Sequence, residues 1–224
     1  MRPWEQLRIE EDGEPLVPIS RARVSLEEPH PYVALGAPYE SHGPWFLRRT
    51  VHERLLEAQG HLEERRAGFR LHLLDAWRPL AVQAFMVEHT DQLLRRTAPE
   101  LSAAARRERV LTYWAPPSED SSRPPPHSTG AAVDLTLVDP AGGVVDMGSP
   151  FDEPTERSHP HHFAGAPDAA GQAAHAHRQL LDEVMRAAGF VGHPQEWWHW
   201  SYGDRAWARE HDLPAARYGR TAPP

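Results

Sequence analysis

The chain has 224 residues, a formal net charge of -8, 40% hydrophobic residues and no cysteine. That length supports one domain with a sizeable core, and the acidic balance excludes a nucleic-acid surface, which would need a basic stripe. Without thiols there is neither a disulfide framework nor a thiolate metal site, and because all 24 basic residues are arginine, a lysine nucleophile or Schiff base is excluded.

Residues 1–29 are polar and punctuated by proline, with one weak strand candidate at Arg21 to Leu26, and are expected to wrap the surface. The first twenty residues contain no apolar run of signal-peptide length, and no later segment approaches the ~18 residues needed to cross a bilayer. A cytoplasmic location and no membrane partner are therefore the expectation. Prolines keep the stretch Pro29 to Tyr39 extended, with Tyr32 and Tyr39 able either to pack against the core or to line a pocket. From Trp45 to Arg66, the residues Leu47, Val51, Leu55, Ala58 and Leu62 recur at helical spacing, which predicts an amphipathic helix. Phe69 to Ala76 alternates as a strand and ends in Asp75-Ala76-Trp77-Arg78-Pro79, where Pro79 suits the first turn of a helix from Leu80 to Arg96. Arg78 sits at this junction with two roles open to it. It could pair with a neighbouring acid to fix the turn, or hydrogen-bond a substrate carbonyl and the oxyanion that develops from it.

Pro99 to Trp114 predicts a further helix, and Ala115 to Pro126 a loop, either lid or connection, too rich in proline and serine to be regular. The loop leads into His127-Ser128-Thr129-Gly130-Ala131-Ala132-Val133-Asp134. An imidazole and a carboxylate seven positions apart cannot meet along regular structure, because a strand separates their backbones by ~23 Å and a helix by ~10 Å. Gly130 can supply the necessary bend, and Val133 to Val138 reads as a strand that places Asp134 on a rigid element. A turn at Asp139 to Gly143 and a return strand at Val144 to Met147 complete an expected hairpin. Gly148 to Gly171 is irregular; its His159, His161 and His162 lack acidic partners at metal-ligand spacing and read as a solvated loop. Ala173 to Ala188 predicts an amphipathic helix closed by Gly189, with His175 and His177 on its exposed face. Glu196-Trp197-Trp198-His199 lies in an aromatic run that favours a strand. Positions three apart on a regular strand face opposite ways, so a bulge or a strand end is expected there. A short helix near Asp204 to His211 and a proline-bearing tail follow.

A His or Asp at a strand edge is ordinarily a surface or hydrogen-bonding residue, so either half of the motif alone is weak. Together they are specific. His127, Asp134 and His199 give three ligands at ~2.0–2.2 Å and leave a fourth position for water, the pattern of a catalytic zinc site with one Zn2+ per chain. Glu196, close to the metal but not on it, is the expected general base that takes the water's proton and delivers it to the leaving amine. Helices and short strands intermix, so the expected fold class is α+β: a single compact domain over residues 1–224, with a small, mainly antiparallel sheet carrying the zinc site and helices flanking it.

These residues resemble the zinc D-alanyl-D-alanine dipeptidases, relatives of the D-Ala-D-Ala carboxypeptidases and of the Hedgehog signalling domain. The family pattern Ser-x-His-x-x-Gly-x-Ala-x-Asp is matched at His127, Gly130, Ala132 and Asp134. Glu196-Trp197-Trp198-His199 is similar to the Glu-x-x-His element, and Asp75-Ala76-Trp77-Arg78-Pro79 to the segment with the catalytic arginine, in the same order over about residues 31–202. The resemblance implies Zn2+ on His127, Asp134 and His199, Glu196 as base, Arg78 stabilising the transition state, and Asp152 near the amino terminus of a small dipeptide substrate, D-Ala-D-Ala or a close relative. Two alternatives are a carboxypeptidase or endopeptidase on peptidoglycan stem peptides and a non-catalytic metal-binding recognition module. One departure is Pro125 at the family's serine position. Proline donates neither a hydroxyl nor an amide proton, which leaves zinc chemistry intact and bears on substrate preference.

Overall fold

The computed structural model describes residues 7–39 and 42–224; what the sequence suggested for residues 1–6 lies outside the described residues. In chain order the elements are β1 (Arg8–Ile9), β2 (Leu16–Pro18), β3 (Ser25–Leu26), α1 (Pro31–Ala34), β4 (Phe46–Arg48), α2 (Arg49–Arg65), β5 (Arg70–Asp75), α3 (Leu80–Thr97) and α4 (Ala103–Tyr113). They continue with β6 (Ala132–Val138), α5 (Ala169–Ala187), β7 (Val191–His193), β8 (Glu196–Ser201), α6 (Arg205–Glu210) and β9 (Ala215–Ala216).

The central sheet has the order β3-β5-β6-β8-β7. Its pairings are antiparallel except for β3 with β5, so the α+β class and the mainly antiparallel sheet are as expected. Strand alternation divides the sheet into two faces. Leu71, Leu73, Val133, Leu135 and Leu137 face α2 and α5, where Val51, Leu55, Ala58, Leu62, Leu181, Val184 and Met185 complete the core. On the other face, Asp134 and His199 are lateral neighbours on β6 and β8, and a register shift between Leu73 and Asp75 sets Asp75 beside Asp134 on β5. A second apolar cluster joins Tyr32, Tyr39, Val82, Met86, Val110 and Trp114 beside that face.

Several local expectations are corrected by longer-range contacts. The helix expected from Trp45 begins only at Arg49, because Phe46–Arg48 pairs antiparallel with β2. The stretch expected to be extended holds α1, whose start is fixed by Pro31 in the first turn and by His30 Nδ1, which accepts from Tyr32 N at 3.2 Å. Ser102 caps α4, so that helix starts after Pro99 rather than at it, with Ser102 Oγ accepting from Ala105 N at 3.2 Å. The return strand at Val144 to Met147 shrinks to one bridge between Val138 and Val144. Val145 N still donates to Leu137 O at 2.9 Å, but the next two residues bond elsewhere, the Asp146 carbonyl to His177 and the Met147 carbonyl to Arg178. α5 begins at Ala169, earlier than its apolar pattern indicated, because Asp168 caps it. Gly189 ends it in a left-handed conformation (φ +86°), with Phe190 N donating to Met185 O.

The N-terminal segment does more than wrap the surface. β1 pairs with β9, and Arg48, 2% exposed, joins both ends of the chain to the site loop. Its side chain donates to Glu11, to the Gly219 carbonyl at 2.9 Å and to the Thr129 carbonyl at 2.8 Å. Thr221 N donates to Ser128 O, so the turn that carries His127 is held from two sides.

Candidate active site

His127 lies in a 3-10 turn, Pro126–Thr129, that Gly130 closes with φ +68° before β6 begins. The positive φ favours glycine there, and a Cβ would stand 2.2 Å from Leu16 Cδ2 and 3.3 Å from Arg48 N, so the leucine side chain would have to move to admit one. The Ala76 carbonyl accepts from His127 Nδ1 at 2.7 Å, which fixes the tautomer and leaves the Nε2 lone pair for the site. His127 Nε2 is 3.2 Å from His199 Nδ1 and 3.3 Å from Asp134 Oδ2, and His199 Nδ1 is 2.9 Å from Asp134 Oδ1.

Four donors placed tetrahedrally at ~2.1 Å from one ion stand ~3.4 Å apart. The observed separations are close to that, so this donor set fits a single zinc ion, and among the described residues it is the one group able to hold a metal. All three residues are buried. Burial works against the Asp134 carboxylate, but His127 and His199 outweigh it and hold its pKa well below the usual range.

β8 carries the expected irregularity. Gly192 pairs with Trp200 but His193 pairs with Glu196, so one step along β7 spans four along β8. The bulged segment places Glu196 Oε2 4.0 Å from His199 Nδ1, near the donor set but outside it. His193, which the sequence reading did not single out, comes within 3.7 Å of Glu196 Oε1.

Arg78 fulfils the first of its two possible roles and remains available for the second. Its Nε donates to Asp75 Oδ2 at 2.8 Å, Nη1 to Gln83 Oε1 at 2.9 Å, and Nη2 approaches Asp134 Oδ2 at 3.4 Å. The guanidinium lies 5.1 Å from the Tyr32 ring and 5.0 Å from the Trp114 ring. Burial disfavours the charge, yet Asp75 beside it raises the Arg78 pKa well above its ordinary value. Asp75 is the buried hub the sequence reading passed over. It also accepts from His30 Nε2 at 2.9 Å and Tyr39 OH at 3.0 Å. Its one sequence signal was a strand-end carboxylate three residues before an arginine.

Asp152 stands on the loop after β6 with φ +59° and accepts from Tyr32 OH at 2.7 Å. His127, Asp134, His199, Glu196, Arg78 and Asp152 all line one cavity of about 510 Å³. Ala115 and Pro126 border it too, so the proline-rich loop meets the site at both ends. Pro125 is buried and is not among the lining residues, while exposed His161 reaches the rim.

Burial raises the Asp152 pKa to about 7 against the bond from Tyr32, and the Asp134 carboxylate adds to the rise. An unfolded chain gives an aspartate ~3.9, so here the folded state holds the proton more tightly. The group then costs no stability below pH ~4, an increasing amount up to pH ~7, and a constant amount above. Asp152 keeps some exposure, which moderates the cost. In metal-free protein, Asp152→Asn is expected to match the parent near pH 4 and to exceed it by about 1–3 kcal/mol at pH 8. Urea unfolding at both pH values checks this; a pH-independent difference would contradict it.

The comparisons with known proteins agree with this geometry. The family model described as D-ala-D-ala dipeptidase, peptidase family M15, matches residues 26–215. The D-alanyl-D-alanine dipeptidase of Synechocystis sp. is 37% identical over 225 residues, 95% of this chain and 91% of that protein. The D-alanyl-D-alanine dipeptidase of Enterococcus faecalis is 34% identical over 152 residues, 67% of this chain and 69% of that protein. The Escherichia coli enzyme of the same name is 49% identical over a shorter stretch of 73 residues, 33% of this chain and 35% of that protein. With most of its length matched, and with the motif residues assembled around one cavity, the chain belongs to the M15 peptidase family of D-Ala-D-Ala dipeptidases.

Proposed function

We propose that this protein is a zinc-dependent dipeptidase that hydrolyses D-Ala-D-Ala or a closely related dipeptide. The observation that carries the reading is the convergence of three buried metal donors, the Glu196 carboxylate beside them and a buried arginine on one cavity. Zn2+ held by His127, Asp134 and His199 supplies Lewis acidity, which brings the pKa of water toward ~7 and polarises the peptide carbonyl.

The chain's own residues do the rest. Glu196 accepts the proton of the attacking water and returns it to the leaving amine as the C–N bond breaks, so it ends the cycle ionised. Arg78 donates to the oxyanion that forms on the carbonyl oxygen; Asp75 and Gln83 already hold its guanidinium, so no reorganisation is needed as charge develops. Asp152, oriented by the hydrogen bond from Tyr32 OH to its Oδ2, receives the substrate's ammonium group. The whole chain acts as one catalytic domain, because Arg48 ties the N-terminal and C-terminal segments to the turn that carries His127. A cytoplasmic site of action belongs to the same proposal, since the proposed substrate is a free dipeptide and not an intact cell-wall peptide; among the described residues no helix is long and apolar enough to cross a membrane. The test is release of free alanine from D-Ala-D-Ala by zinc-loaded protein, with L-Ala-L-Ala and a D-Ala-D-Ala-terminated tripeptide run beside it.

A further inference from the structure

The loop that carries Asp152 receives four hydrogen bonds from one buried side chain, Arg178. Apart from a 3-10 turn at Glu156–Ser158, the chain between β6 and α5 has no regular element to fix its path. Arg178 reaches into it from α5, on the helix face where Ala174, Leu181 and Met185 are buried, and is itself only 4% exposed. Its Nε donates to the Met147 carbonyl at 2.7 Å and its Nη1 to the His159 carbonyl at 2.7 Å. Its Nη2 donates to the Arg157 carbonyl at 2.8 Å and to Ser149 Oγ at 3.1 Å. Ser149 Oγ also accepts from Trp197 Nε1 at 3.0 Å, and Trp197 adjoins Glu196 on β8. The guanidinium lies over the rings of Phe163 and Trp197, and it contributes to the cavity wall.

All four of these hydrogen-bond acceptors are neutral oxygens. Burying a cation against such partners lowers stability relative to leaving it in water, and desolvation pushes the Arg178 pKa down to about 10. What the arrangement supplies is geometry, since a planar fork can engage acceptors in several fixed directions where a lysine ammonium could not. The same junction of Arg178 and Ser149 joins the Asp152 loop to the strand that carries Glu196 and His199.

We propose that Arg178 is a positioning residue for the reaction. It holds Asp152 at a set distance from Glu196 and His199, and so fixes where the substrate's ammonium group sits relative to the scissile carbonyl. The proposal rests on Asp152 as the ammonium acceptor.

The variants are Arg178→Lys, which keeps the charge and loses the fork, and Ser149→Ala, which removes the hydroxyl shared by Arg178 Nη2 and Trp197 Nε1 and serves if the first fails to fold. Each is loaded with zinc and assayed with D-Ala-D-Ala. The binding of propionyl-D-alanine, the same molecule without its amine, is measured as competitive inhibition. The expected result for Arg178→Lys is a KM for D-Ala-D-Ala raised about tenfold or more, kcat changed less than about threefold, and zinc stoichiometry and the inhibition constant of the analogue unchanged. Ser149→Ala shifts the same way by a smaller factor. An unchanged KM, or an equal loss for dipeptide and analogue, would overturn the proposal. Asp152→Asn in the parent separates the two layers: if it leaves the ratio of dipeptide KM to analogue inhibition constant unaltered, the ammonium-acceptor reading fails and the proposal with it. A shifted ratio there, with an unchanged KM in Arg178→Lys, overturns the proposal alone.

Discussion

Glu196→Gln is expected to bind zinc as the parent does and to lose about three orders of magnitude in kcat. The glutamine is nearly isosteric and leaves His127, Asp134 and His199 untouched, so metal binding should persist. What disappears is the carboxylate near His199 to which the proposed mechanism assigns the taking and returning of the proton. Metal analysis beside steady-state kinetics checks this. A zinc-loaded Gln variant with parental turnover would remove Glu196 from the mechanism, and loss of zinc would place its carboxylate among the ligands.

Arg78→Met should lower both stability and activity, for separable reasons. The methionine fills much of the arginine's volume, but Asp75 loses its strongest counter-charge while completely buried. Breaking one side of a buried pair costs about 3–5 kcal/mol, seen as a shifted denaturant midpoint. On the folded fraction, kcat/KM should fall by about 10²–10³ through loss of an oxyanion donor. Arg78→Lys separates the effects, because an ammonium can neutralise Asp75 and yet cannot also bond Gln83 and the oxyanion. Near-parental stability with a large activity loss in the lysine variant is the expected pattern; near-parental kcat/KM would confine Arg78 to holding the turn.

What could be read from sequence here was what local pattern encodes. The apolar periodicity of α2, the Pro79 start of α3, the β-branched run of β6 and the glycine bend after His127 each depend on residues close together in the chain. The Trp-rich Glu196 segment was legible as an irregular strand because its two functional side chains violate strand alternation. The strand Phe46–Arg48 was not, since its residues continue a helical pattern and only pairing with Leu16–Pro18 decides otherwise. Asp75 was missed for a similar reason: its donors come from His30, Tyr39 and Arg78, and nothing local announces that three elements converge on one carboxylate. Arg178 left one trace, an arginine in register with Ala174, Leu181 and Met185 on the buried face of a helix. Its acceptors, in a loop without periodicity, could be known only from the fold.

Pro125, at the family pattern's serine position, has a structural place of its own. It is buried outside the cavity lining, and its carbonyl accepts from Ser128 Oγ at 2.7 Å, which puts it at the base of the His127 turn. On the proposed function, Asp152, which does line the cavity, is the residue expected to weigh most on the ammonium side of the substrate.

The measurement that bears most directly on the account is the rate of alanine release from D-Ala-D-Ala by zinc-loaded and metal-stripped protein, beside L-Ala-L-Ala and the D-Ala-D-Ala-terminated tripeptide. The account predicts turnover of the D,D-dipeptide by the loaded protein, loss on stripping and recovery on adding zinc, with little hydrolysis of the other two peptides. Equal turnover with and without bound metal, or preferential cleavage of the tripeptide, would contradict it.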